Sequence, residues 1–106
     1  MAWVYLMIAG LLEIGWAIGL KYADGFTKPW PSIAAVLGMI VSFYFLSLAV
    51  RTLPLGTSYA IWTGIGAVGT TVLGIVLFAE PATLSRLGCI ALVLAGILGL
   101  KLTAGN

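Results

Sequence analysis

Four apolar stretches, at 2–20, 30–50, 56–78 and 84–102, take up most of this 106-residue chain. Each is long enough to cross a hydrocarbon layer about 30 Å thick as a helix. Inside lipid no water is at hand for backbone N–H and C=O groups, so a crossing segment must satisfy them within itself. With 62% hydrophobic residues and 8% charged, the chain also lacks the polar surface to coat a soluble globule. The predicted fold is an all-α membrane protein, one domain over 1–106, with four transmembrane helices. No soluble domain is left over for separate chemistry.

The first stretch has no basic leader, no small-residue cleavage pattern and an acid in its middle, so it reads as a retained helix rather than a secretory signal. The connections "KYADGFTKP", "RTLPL" and "AEPAT" each hold proline or charge suited to a polar boundary. Trp3, Tyr5, Tyr22 and Trp30 fall near helix ends and read as headgroup-level anchors without a site role. One cysteine, Cys89, and no histidine exclude an intrachain disulfide and Cys/His metal sites. No nucleophile set or cofactor loop is visible either, so neither an enzyme nor a nucleic-acid binder is expected.

Lysine and arginine set orientation during insertion. Arg51 and Lys101 lie at one end of the helices, and Lys21, Lys28 and Arg86 at the other. So small a bias predicts a chain that inserts either way round and pairs with its own inverted copy. Four helices are too few to contain the inverted repeats of many transporters, and an antiparallel homodimer supplies them from two identical chains.

Glu13 is the residue that asks for a function. It is the one acid inside the apolar stretches, and a carboxylate at mid-depth costs a few kcal/mol even on lenient insertion scales. Gly10, Glu13, Ala17 and Leu20 share a stripe at three- and four-residue spacing. Trp16 follows Glu13 by one turn, so its indole N–H is in reach of the carboxylate, and Gly10 is expected to leave open volume beside it. The alternative is a neutral carboxyl hydrogen-bonded between packed helices. Ser42, with Met39 and Phe43 nearby on the second helix, either bonds back to its own helix or contributes to the same site. Tyr59 and Trp62 project from one face of the third helix, as a packing pair or, beside Glu13, as aromatic walls that attract a cation.

Gly64, Gly66 and Gly69 spell G-x-G-x-x-G, but inside a membrane helix rather than after a strand. They are read as a bend or a close-packing face. On the fourth helix Ala91, Ala95 and Gly99, with Gly88 and Gly96 on a neighbouring line, read as a helix-helix contact surface serving dimerisation.

Taken together, "LLEIGWAIGLKYADGFTK", "LPLGTSYAIWTGIGAVGT", "FAEP" and "AGILGLK" make the chain resemble the small multidrug resistance family, and within it the guanidinium exporters, nearly end to end. Ser58, where alanine is usual, and Cys89, in the place of a glycine, depart from the pattern. The resemblance implies an antiparallel homodimer in the bacterial inner membrane that exchanges protons for a cation, with no cofactor beyond the coupling proton. It implies that Glu13 binds proton or substrate, organised by Trp16, Ser42, Tyr59 and Trp62. The expected cargo is guanidinium or a small substituted guanidinium. Such an ion is flat, with paired N–H donors that match a carboxylate edge. A broader quaternary-ammonium exporter of the same fold and a non-transporting assembly subunit are the competing readings.

Overall fold

The computed structural model describes residues 1–103. Four helices follow one another, α1 (Ala2–Ala23), α2 (Pro29–Ala49), α3 (Leu55–Phe78) and α4 (Leu84–Thr103). All four are long and apolar enough to cross a membrane. Helix α1 runs three residues beyond its apolar stretch because the next residues find apolar cover: Lys21 Nζ lies 5.7 Å from the centre of the Phe78 ring, and the Tyr22 ring is 5.3 Å from the same ring. It stops where Asp24, Gly25 and Phe26 all take left-handed backbone angles. Pro29 at the first position of α2 and Pro54 before α3 set the other helix starts.

The helices form a row rather than a two-by-two bundle. Their Cα atoms extend 43 × 34 × 16 Å, so the assembly is thin in one direction. Helix α1 packs on α2 and α3, and α4 packs its backbone only against α3, giving the order α2, α1, α3, α4. The buried cluster of Leu6, Ala9, Ala49, Leu53, Ile61 and Trp62 sits where the start of α1, the end of α2 and the start of α3 converge. No residue of α4 is buried.

Glycines let these apolar helices approach, since lipid gives them no hydrophobic drive to associate and close packing must hold them. A Cβ on Gly38 of α2 would come within 2.9 Å of the Trp16 Cβ, and one on Gly64 of α3 within 2.8 Å of the Ile97 side chain on α4. One expectation changes here. The space beside Gly10 is not open, because the Ile65 side chain fills it. Gly64, Gly66 and Gly69 all lie at close helix contacts within the chain. Gly69 admits the Ile14 side chain and Gly66 that of Glu13, while α3 runs as one helix from Leu55 to Phe78. By contrast, a Cβ on Gly88, Gly96 or Gly99 would meet nothing within 4 Å, and Ala91 and Ala95 are exposed.

Candidate functional site

Glu13 leaves α1 on the side that faces α3. Its carboxylate rests on Gly66, where even an alanine methyl would overlap it. A shallow groove of about 250 Å3 opens there, lined by Glu13, Trp16 and Ala17 of α1 and by Thr63, Gly66, Ala67 and Thr70 of α3. Glu13 Oε1 and Trp16 Nε1 are both buried without a hydrogen-bond partner. The indole therefore stays near the carboxylate without bonding to it within one chain. Its Cβ packs on Gly38 and its ring meets Phe43 edge-on at 6.5 Å.

Ser42 does something that spacing did not reveal. It is fully buried, donates its hydroxyl hydrogen to the Ala9 carbonyl at 2.7 Å and accepts the Trp62 Nε1–H at 3.0 Å. One hydroxyl thus ties α1, α2 and α3 together. In helix geometry the Ala9 carbonyl is also the acceptor for the Glu13 backbone N–H. Ser42 holds the turn that presents Glu13, with its hydroxyl bonded to Ala9 and Trp62 rather than to the carboxylate. Replacing Ser42 by alanine should leave the Trp62 N–H buried and unpaired, a loss of roughly 1–3 kcal/mol. A clearly lower thermal midpoint in detergent is the expected reading, and an unchanged one would show that the clasp carries no stability.

Phe43 stands between the two indoles, 5.6 Å from the Trp62 ring and edge-on to it. Tyr59 continues the run at 5.5 Å from Trp62 and remains about half exposed. Aromatic rings thus pass from Trp16 through Phe43 and Trp62 to Tyr59. Of the five residues expected around a cation, the groove brings together Glu13 and Trp16. Trp62 and Ser42 form the buried clasp behind them, and Tyr59 lies at the exposed end of the aromatic run. Met39 is half-buried on α2 and does not line the groove.

Thr63, Ala67 and Thr70 line the groove without any mark of their own in the sequence. They stand three or four residues from one another and flank Gly66, so the stripe that carries them was legible once Gly66 was known to face Glu13. The two departures from the family pattern lie elsewhere. Ser58 is fully buried with an unpartnered hydroxyl, and Cys89 is exposed on α4. Among the described residues no group of histidine, cysteine, aspartate and glutamate is placed to hold a metal ion.

The profile of the Small Multidrug Resistance protein family matches residues 1–94. The chain is 57% identical over 104 residues to a protein of Yersinia pestis named guanidinium exporter, covering 98% of this chain and 100% of that one. It is 58% identical over 103 residues to a guanidinium exporter of Citrobacter freundii, covering 97% and 98% of the two. A Salmonella typhimurium guanidinium exporter is 55% identical over 104 residues, covering 98% and 99%. With its four membrane-length helices and a likeness that runs nearly end to end, the chain belongs to the small multidrug resistance family of multi-pass proteins of the bacterial inner membrane.

Proposed function

We propose that this protein exports guanidinium in exchange for protons, with Glu13 as the group that holds one or the other. The observation that carries the reading is the Glu13 carboxylate seated on Gly66 in an open groove at mid-span, with one oxygen buried and unpartnered. A bare carboxylate in a low-dielectric setting is costly, so it is neutralised by a proton or by a cation. Each displaces the other, and that competition is the elementary step of antiport. The guanidinium edge offers two parallel N–H donors to a carboxylate, which favours a planar donor-rich ion over a quaternary ammonium. The names of the relatives agree with this cargo.

We further propose that the working unit is an antiparallel pair of chains. A row one helix thick leaves the Glu13 groove open to whatever lies beside it, and α4 buries nothing of its own. A second, inverted copy would cover both, using Gly88, Ala91, Ala95, Gly96 and Gly99 for close approach. The near balance of Lys and Arg between the two ends agrees with insertion in both senses.

The test is flux. Proteoliposomes under an imposed proton gradient should accumulate guanidinium against its own gradient, and accumulation indifferent to the proton gradient would refute coupling. Adding two lysines to the 50–54 connection should fix most chains with that connection cytoplasmic. Such chains alone should transport poorly and recover when mixed with an oppositely biased copy. Full activity from one orientation would rule out the antiparallel pair.

A further inference from the structure

In an apolar helix a threonine or serine hydroxyl usually bonds back to a carbonyl of its own helix. Several do so here: Ser32 to Lys28 at 2.6 Å, Ser47 to Tyr44 at 2.6 Å, Thr71 to Ala67 at 2.7 Å and Thr103 to Gly99 at 2.8 Å. Thr63 and Thr70 make no such bond, although Thr71, next in sequence on the same helix, does. Thr57, Ser58 and Ser85 lack one too, but none of them lines the groove. The groove therefore gathers the Glu13 oxygen, the Trp16 N–H and two hydroxyls that have no partner among the described residues. The indole is a donor and suits the carboxylate. Each hydroxyl carries two acceptor lone pairs beside its donor hydrogen, and the group that suits those lone pairs is a cation rich in N–H.

Their spacing restricts how they act. Thr63 and Thr70 stand one turn to either side of Gly66, about 10.5 Å apart along the helix. A guanidinium ion with a hydrogen bond at each end spans only about 8 Å, so one ion does not reach both. When the Glu13 carboxylate takes two of the three amino groups, the third is left free and can turn toward one end of the groove or the other. We propose that Thr63 and Thr70 are alternate acceptors for this third amino group, defining two bound poses that face opposite ends of the membrane. This rests on guanidinium being the cargo held by Glu13.

Two alternate acceptors have a signature that a single one lacks. If the poses are equally populated, losing one hydroxyl removes half of the bound states and weakens binding about twofold. Losing both removes a hydrogen bond to a charged group altogether, a loss of about tenfold or more. The substitution that keeps shape and deletes only the hydroxyl is Thr→Val. N,N-dimethylguanidinium supplies the chemical control, since its two free amino groups still fork onto the carboxylate while its third nitrogen has no hydrogen to donate.

Calorimetric titration of the purified full-length protein in lipid bicelles reads both cations on one scale. Thr63→Val and Thr70→Val should each weaken guanidinium about twofold and the double variant about tenfold, with N,N-dimethylguanidinium unchanged throughout. Thr→Ser at both positions should restore guanidinium binding. Equal weakening of both cations would mean that the threonines act through helix packing, and no weakening of either would mean that the hydroxyls are idle; each result overturns the proposal. Glu13→Gln in the same titration separates the two readings, because guanidinium binding that survives it removes the carboxylate from the site whatever the threonines do.

Discussion

Proteoliposomes carrying Glu13→Gln should show no proton-driven guanidinium uptake above protein-free vesicles. The amide keeps the size of the side chain and its seat on Gly66, so helix packing has little reason to change. It can neither release a proton nor neutralise a cation, and both halves of the exchange pass through that ability. The loss should therefore be complete rather than partial, with normal expression and unchanged helical content by circular dichroism. Coupled flux that persists in this variant would move the coupling site away from α1. Glu13→Asp should retain some exchange, because the charge survives while its reach shortens.

Nearly as large an effect should follow from adding a single methyl group on the opposite helix. In Gly66→Ala the new Cβ falls where the Glu13 carboxylate now lies, so the carboxylate must swing out of its seat or α1 and α3 must separate. A displacement of about 1 Å at a reacting group is enough to lower a rate roughly a hundredfold. The expected outcome is a loss of that order in guanidinium flux with the protein still folded. Gly15→Ala is the matched control, since a Cβ there meets nothing within 4 Å and should leave flux unchanged. Equal activity in both variants would show that the carboxylate does not need the Gly66 seat.

The number of helices and the place of each were legible because a single physical demand, a run of apolar residues long enough for lipid, governs both. The oddity of Glu13 was legible for the converse reason. Partners were not legible to the same degree. Ser42 was compatible with a bond to its own helix or with a site, and only the relative rotation of three helices shows that it joins Ala9 to Trp62. Gly10 was read as space because nothing in the sequence names Ile65, fifty-five positions away, as its occupant. Thr63 and Thr70 carried a regular spacing but no reason to prefer them to Thr71, which differs in where its hydroxyl turns. Periodicity defines faces, and which faces meet is a property of the assembled helices.

The groove that holds Glu13 lies on a seam between two hairpins, since α1 belongs to the first and α3 to the second. Synthesis runs from the N-terminus, so α1 and α2 leave the ribosome ahead of Gly66. For that interval the acidic side chain has no glycine to rest on, and the most economical way to carry it is as the neutral acid, shielded by the hairpin it shares with α2 or by the insertion machinery. Arrival of α3 then converts a burden of biogenesis into a binding site. A chain stalled after its second helix would keep the burden and gain no site, since every residue facing Glu13 across the groove comes from α3.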